Sequence, residues 1–153
     1  MDHETRLAQS GLELPQLPEP VGAYVPTVRT GNLIFTAGQL PFKDGKLTAA
    51  GKVPADVPLE AARAAALQAC LNALAAVRRE LGGSLNGVRR IVRMNVLVNS
   101  AAGFTDQPKV ANAASDALAT IFGDAGRHTR TAVGAAELPL NAPVELDLIV
   151  EVA

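Results

Sequence analysis

The sequence predicts an α+β domain in which two helices pack on one face of a mixed β-sheet. Three observations support this: strand-like runs near both ends of the chain, two long stretches with helical spacing of apolar residues, and an alternating segment between them. At 153 residues with 48% hydrophobic residues, the chain is long enough for one domain with a real core. With no Trp, one Tyr and four Phe, that core must be filled by Ala, Val and Leu.

The charge balance and the lack of long apolar runs argue against several classes of protein. Fourteen Lys and Arg stand against fifteen Asp and Glu, and this net charge of −1 does not favour binding of nucleic acid or of an anionic membrane. No run reaches the roughly 18 apolar residues of a membrane-spanning helix. A single cysteine excludes an internal disulfide, and the first residues lack the apolar run of a signal peptide. We therefore expect a cytoplasmic protein that binds neither nucleic acid nor membranes.

The N-terminal part of the chain divides into an arm and a hairpin. Residues 1–20 are polar and interrupted by proline, which predicts an N-terminal arm without regular structure, and residues 21–153 are predicted to form a single domain. Within residues 24–37, two β-rich runs flank Thr30-Gly31-Asn32, the composition of a tight turn. A β-hairpin is therefore predicted here.

Two stretches carry the three- and four-residue spacing of apolar residues that is typical of helices packed on a flat surface. The first is predicted to begin near Asp56, a good N-cap, and to end at Gly82-Gly83. The second is predicted to begin after Asp106 and to end at Gly123. The first stripe comprises Leu59, Ala62, Ala66, Cys70, Ala73, Leu74, Val77 and Leu81, and the second Val110, Ala114, Ala117, Leu118 and Ile121.

Alternation of apolar and polar residues predicts a strand between the helices, over residues 88–99, and a second one at the C-terminus, over residues 144–152. A short run over residues 131–137 and a corner at Leu138-Pro139 come before the last strand. The sheet face away from the helices is predicted to carry Arg93, Asn95, Leu97, Glu145, Asp147 and Ile149. This mixture suits an oligomer interface or a site lining better than open solvent, so we predict an oligomer.

The chain lacks the common signatures of nucleotide, metal and serine-nucleophile sites. No GxGxxG, GxxxxGK, HExxH, CxxC or GxSxG motif is present. Two histidines, His3 and His128, and one cysteine are too few ligands for a dedicated transition-metal site, so we expect no metal. Cys70 lies in the apolar stripe of the first helix, which predicts a buried and unreactive thiol.

The most informative segment is GRHTRTAV, residues 126–133, followed by Leu138-Pro139 and the last strand. Together with VGAYVPTVRTGNLIFTAGQLP near the start, this pattern resembles the RidA (YjgF/YER057c/UK114) family of reactive-intermediate deaminases, from about Pro20 to the C-terminus. The resemblance implies a chorismate-mutase-like α+β fold, assembled as a homotrimer with sites at the subunit interfaces. It also implies hydrolysis of enamines and imines of the 2-aminoacrylate type to 2-keto acids and ammonia, without a cofactor.

The resemblance further implies roles for individual residues. Arg130 matches the motif arginine that grips the substrate carboxylate, and a guanidinium suits this role because it is always charged and offers a bidentate fork. Tyr24 matches a site tyrosine, and Asn112 falls where the family often has a site asparagine. The family places an acidic residue beside the attacking water; either Glu145 or Asp147 can take this place, and we favour Asp147. Without the motif, Arg130 is equally well explained as an exposed strand arginine paired with one of these carboxylates.

Departures from the family pattern leave the substrate range open. Ala37, in the Ala37-Gly38-Gln39 motif, replaces a serine, so a hydroxyl is missing from the pocket. Ala132 stands where the family usually has cysteine, and His128 stands where it often has proline. Backbone groups of Gly38 and Ala132, with Gln39 beside them, can still position water and substrate, since backbone donors survive side-chain changes. We expect His128 to be a turn residue without a role.

Other functions are compatible with the same resemblance. The missing serine favours a non-catalytic trimer that binds a small carboxylate metabolite or a partner protein in the same cleft. An endoribonuclease of the L-PSP type is disfavoured by the net charge and by the scarcity of aromatic residues for base stacking. The candidate basic patch for such an activity comprises Arg78, Arg79, Arg89, Arg90 and Arg93. A chorismate mutase activity would rest on fold likeness alone.

Overall fold

The computed structural model describes residues 1–17 and 23–153, which form a mixed β-sheet with helices packed on it. The helices are α1 (His3–Ser10), α2 (Leu59–Glu80) and α3 (Gln107–Phe122). The strands are β1 (Thr27–Thr30), β2 (Leu33–Thr36), β3 (Phe42–Lys43), β4 (Lys46–Leu47), β5 (Val88–Asn99), β6 (Thr129–Ala135) and β7 (Val144–Val152). The main sheet has the order β1-β2-β7-β5-β6, and β3 and β4 form a separate hairpin. The predicted α+β two-layer class is confirmed.

The strand β5 joins the two halves of the sheet, because it pairs antiparallel with β7 and parallel with β6. Met94 of β5 is fully buried under the helices and lies in register with Leu148 of β7 and Arg130 of β6. Leu97 lies in register with Glu145. Since residues in register point to the same face and neighbours along a strand alternate, Arg130 lies on the helix-covered face and Glu145 on the opposite face.

Helices α2 and α3 cover the sheet with small side chains. The fully buried residues of α2 include Ala62, Ala65, Ala66, Ala69, Cys70, Ala73, Leu74 and Val77, and those of α3 include Val110, Ala114, Leu118 and Ile121. Alanine lets a helix backbone approach its neighbours closely, which fills this core without large aromatic rings. Both predicted apolar stripes therefore face the core.

The beginning of α2 differs from the sequence prediction. The helix has Pro58 in its N-cap position, two positions after the predicted cap at Asp56. The Asp56 carboxylate instead accepts the backbone N–H of Lys52 at 2.9 Å and closes the preceding turn, so it is not available to the helix. Asp106 does occupy the N-cap position of α3, but its side chain makes no capping hydrogen bond. The predicted stop at Gly82 is confirmed by its φ of 78°, just after the last helical turn.

The prediction that the N-terminal arm lacks regular structure is wrong for α1. Asp2 caps this helix by accepting a backbone N–H of the first turn at 2.8 Å, and that contact lowers the pKa of the Asp2 carboxyl. Gly11, with a φ of 77°, ends the helix. The helix is held on the domain because Leu7 is buried in the core, while the Glu4 carboxylate accepts the backbone N–H of Leu85 at 2.7 Å.

The predicted hairpin is confirmed, with β1 and β2 joined by Gly31 and Asn32. Gly31 has a φ of 59°, the left-handed conformation that such a turn requires of one residue. Residues 18–20, the last part of the predicted arm, lie outside the described residues. No helix within residues 1–17 and 23–153 is long and apolar enough to cross a membrane.

Gly126→Ala tests the packing of the turn between α3 and β6. A Cβ at Gly126 would lie 2.3 Å from the carbonyl oxygen of Leu118, a backbone atom that cannot move aside alone. We expect this change to lower the free energy of unfolding by about 2 kcal/mol, measured by urea denaturation. Gly87→Ala is the matched control, because its Cβ would meet only the Leu81 side chain at 3.6 Å. Equal stability of the two variants would contradict the prediction.

Candidate functional site

A cavity of about 620 Å³ lies beside the first part of β7. The chain leaves β2 and runs along β7, where Gln39 and Leu146 exchange two backbone hydrogen bonds of 2.8 and 3.0 Å. This places Gly38 against the Glu145 side chain, so closely that a Cβ on Gly38 would lie 3.0 Å from Cδ of Glu145. Tyr24 also lines the cavity and is 67% exposed. Four predicted site residues, Tyr24, Gly38, Gln39 and Glu145, therefore lie together.

The Glu145 carboxyl is the unusual group of this cavity. Burial raises its pKa above the ordinary value, and the neighbouring Asp147 carboxylate raises the pKa further. Within residues 1–17 and 23–153 the carboxyl has no hydrogen-bond or ion-pair partner. A partly desolvated carboxyl without a cation beside it is suited to exchanging a proton.

Asp147, the acidic residue that the sequence analysis favours, has a different environment. Its Oδ2 accepts a hydrogen bond from Nδ2 of Asn95 at 3.2 Å, and it is not among the residues that line the cavity. Glu145 and Asp147 lie on the same face of β7, two residues apart. The Glu145 side chain occupies the space beside Gly38, which has no side chain of its own, and of the two carboxylates only Glu145 lines the cavity. The cavity geometry therefore favours Glu145 over Asp147 as the site carboxylate.

Arg130 lies elsewhere, on the helix side of β6. One of its terminal nitrogens, Nη1, donates to Oδ1 of Asn112 at 2.8 Å and to Oγ of Ser115 at 3.1 Å. Both acceptors are on α3 and are three residues apart, so they lie on one face of that helix. The structure thus brings together Arg130 and Asn112, two of the predicted site residues, and Arg130 does not pair with Glu145 or Asp147.

His128 and Ser115 extend this group of residues. Nδ1 of His128 lies 2.6 Å from the carbonyl oxygen of Gly126, and Nε2 lies 3.0 Å from Oγ of Ser115. The two side chains and Arg130 line a shallow depression of about 320 Å³. His128 thus contacts Ser115, which accepts a hydrogen bond from Arg130; that His128 has no role in function stays a prediction. Ser115 was not identified from the sequence; its three-residue spacing from Asn112 was the available signal.

Ala132 and Cys70 take part in the packing of the domain. Ala132 is half-buried on β6, in register with Val96, and packs against the core. Cys70 is buried as predicted, and burial raises the pKa of its thiol to about 12, which favours the protonated form. Among the described residues, no three His, Cys, Asp or Glu side chains are grouped so that they could hold a metal ion.

Comparison with known proteins identifies one family over nearly the whole chain. The family described as "YjgF/chorismate mutase-like, putative endoribonuclease" matches residues 4–152. The match begins within α1, earlier than the start near Pro20 that the motifs indicate. The chain is 40% identical to Protein TCP17 of Trypanosoma cruzi over 146 residues, which is 95% of this chain and 91% of that protein.

Two further relatives complete this comparison. A solved structure of a protein of unknown function from Agrobacterium tumefaciens is 42% identical, and the superposition covers 99% of this chain and 92% of that one with a TM-score of 0.91. A 2-iminobutanoate/2-iminopropanoate deaminase from Dermatophagoides farinae is 28% identical over 139 residues, 91% of this chain and 93% of that protein. Because sequence and fold agree over nearly the full length, the chain belongs to the RidA (YjgF/YER057c/UK114) family.

Proposed function

We propose that this chain is a cofactor-independent deaminase that hydrolyses enamines and imines of the 2-aminoacrylate type to 2-keto acids and ammonia. The observation that carries the proposal is a pair of unmatched charges: Arg130 has no acidic partner and Glu145 has no basic partner among the described residues. A cation that binds a carboxylate and a carboxyl that exchanges a proton are the two groups that this hydrolysis needs. Family membership and the 28% identity to the 2-iminobutanoate/2-iminopropanoate deaminase of Dermatophagoides farinae support the same reaction.

The proposed reaction uses each group at a defined step. Arg130 binds the substrate carboxylate and so positions the adjacent imine carbon; an enamine reaches this state by protonation at its β-carbon. Water adds to the carbon of the protonated imine (C=NH2⁺) while Glu145 takes a proton from that water, which gives a neutral amino alcohol. Glu145 then gives this proton to the amine nitrogen, the C–N bond breaks with its electron pair going to nitrogen, and ammonia leaves. The proton of the hydroxyl group passes to the Glu145 carboxylate as the C=O forms, and its later release to solvent restores the site. A raised pKa suits Glu145 to these transfers.

A working site requires groups from two copies of the chain. Arg130 and Glu145 lie on opposite faces of the sheet in one protomer, so a single substrate cannot contact both within that protomer. The half-buried, mixed face that carries Leu97 and Ile149 suits contact with another copy. We therefore propose a homotrimer in which Arg130 of one subunit and Glu145 of another complete each site.

Mixing two inactive variants tests the composite site. Arg130→Ala and Glu145→Gln subunits are co-expressed in equal amounts, and imine hydrolysis by the mixed assembly is measured. A site is intact only where the arginine comes from a Glu145→Gln subunit and the carboxylate from an Arg130→Ala neighbour, so we expect about a quarter of the wild-type activity. Activity as low as that of the single variants would contradict a site shared between subunits.

Arg130→Ala tests the carboxylate grip. Imines are generated in solution by an amino-acid oxidase, and their capture by semicarbazide is timed with and without the protein. We expect kcat/KM to fall about 100-fold, because the substrate carboxylate loses its charged partner. Arg89→Ala is the control and is expected to retain activity, because it removes an exposed arginine at the start of β5, away from the contacts of Arg130. Full activity of Arg130→Ala, with an unchanged melting temperature, would contradict the assigned role.

Glu145→Gln and Asp147→Asn separate the two carboxylates. The raised pKa of Glu145 means that the folded state holds this proton more tightly than the unfolded state, so stability is full below about pH 4.5 and falls as the pH rises through the raised pKa. We expect Glu145→Gln to be inactive yet more stable than wild type at about pH 7, with the difference closing near pH 4. Asp147→Asn is expected to retain most activity. The measurements are urea denaturation across pH and imine capture; a pH-independent stability difference would contradict the account.

A non-catalytic binding protein is the second candidate, favoured by Ala37 in place of the family serine. It would use the same Arg130 to bind a small carboxylate, without the proton transfer at Glu145. Binding of pyruvate without turnover of any imine supports this alternative, and measurable turnover excludes it. An RNA-cleaving activity has less support, because Arg78 of the candidate basic patch is already paired with Glu4 at 2.8 Å.

A further inference from the structure

The guanidinium of Arg130 is held by only one of its three nitrogens. Nη1 carries two N–H groups, and both are used: one by Oδ1 of Asn112 and one by Oγ of Ser115. Nε and Nη2 have no acceptor within residues 1–17 and 23–153. A carboxylate can pair with a guanidinium through Nη1 and Nη2 or through Nε and Nη2. Because both N–H groups of Nη1 are already used, only the Nε–Nη2 edge of Arg130 can pair with a carboxylate.

The hydrogen bonds behind Ser115 have a single possible direction when the ring of His128 is neutral. The carbonyl of Gly126 can only accept, so Nδ1 of His128 must donate to it. The neutral ring then has an acceptor at Nε2, which takes the hydroxyl proton of Ser115. At the other end the guanidinium can only donate, so the lone pairs of Ser115 face Arg130. The Gly126 carbonyl at one end of this series of hydrogen bonds and the Arg130 guanidinium at the other thus determine the tautomer of the neutral His128 ring and the orientation of the Ser115 hydroxyl.

We propose that Ser115 and His128, together with Asn112, are positioning residues that hold Nη1 of Arg130, so that Arg130 presents its Nε–Nη2 edge to the carboxylate of the ligand. This inference rests on the proposed role of Arg130 in binding a carboxylate. A long arginine side chain on an edge strand otherwise samples many rotamers, and holding it in advance removes that entropy cost from binding. The acceptors are neutral, so they restrain the guanidinium without neutralising its charge.

Phenylglyoxal modification tests the restraint without reference to enzyme activity. The reagent forms its adduct on the two terminal nitrogens of arginine, and Nη1 of Arg130 is engaged by the protein. We expect Ser115→Ala to speed modification at Arg130 about threefold relative to the exposed neighbour Arg127, as mass spectrometry of the same peptide measures. Ser115→Thr keeps the hydroxyl and is expected to behave like wild type. Thr120→Ala removes an exposed hydroxyl from the same helix and is the matched control.

Two further measurements separate positioning from a general structural effect. Nitrogen NMR of His128 in the folded protein is expected to show a protonated Nδ1 and an unprotonated Nε2 at neutral to mildly alkaline pH. With imine substrates, Ser115→Ala is expected to raise KM about fivefold while kcat stays near the wild-type value, and Ser115→Thr to restore KM. KM rises and kcat stays constant when the lost interaction stabilises the bound substrate and the transition state equally.

The outcomes distinguish this inference from the proposed function. An unchanged Arg130 modification rate in Ser115→Ala, or the opposite His128 tautomer, overturns the positioning role whether or not the chain is a deaminase. Faster modification of Arg130 in Ser115→Ala, with slower modification of the wild type in the presence of pyruvate, supports the role even if no imine is turned over. In that case the deaminase proposal fails and the carboxylate site remains.

Discussion

The register between β5 and its two neighbours is the constraint on which the rest of the structure depends. It buries Met94 and Leu148 under the helices and, by the same alternation, turns Arg130 toward α3 and Glu145 toward the other face. A slip of one residue in the pairing of a strand would move each of its side chains to the opposite face of the sheet. The apolar side chains would then lose their place in the core, and Arg130 or Glu145 would move to the wrong face. The burial of the apolar set therefore also maintains the placement of the two charged groups.

Separation of the two charges within one chain has a chemical consequence. If Arg130 and Glu145 were paired in a protomer, each would satisfy the other, and neither would be free for a substrate. Instead Arg130 is held by the neutral oxygens of Asn112 and Ser115, while burial and then the charge of the neighbouring Asp147 carboxylate raise the pKa of Glu145. Within residues 1–17 and 23–153, the fold thus keeps the Arg130 guanidinium and the Glu145 carboxyl at two separate places, each without an oppositely charged partner.

Much of the fold could be predicted because its signals are local. Alternation over two residues and spacing of three to four residues identified β5, β7, α2 and α3, and the glycines at 82 and 123 identified the helix ends. The missed helix α1 has a clear cap at Asp2, but it is short and is held in place by contacts of Leu7 and Glu4 with distant parts of the chain. Asp56 was mistaken for a helix cap because the same residue type also closes turns.

By itself, the sequence determined the class of fold and the identity of the motif arginine. These depend on periodicity and on a contiguous motif, GRHTRTAV, which can be read without knowing any contact. Only the tertiary structure decided that Glu145 rather than Asp147 lines the cavity, and that Ser115 and His128 stand behind Arg130. The physical reason is that these relations join residues far apart in the chain, such as Gly38 and Glu145, whose proximity is set by strand pairing and helix docking.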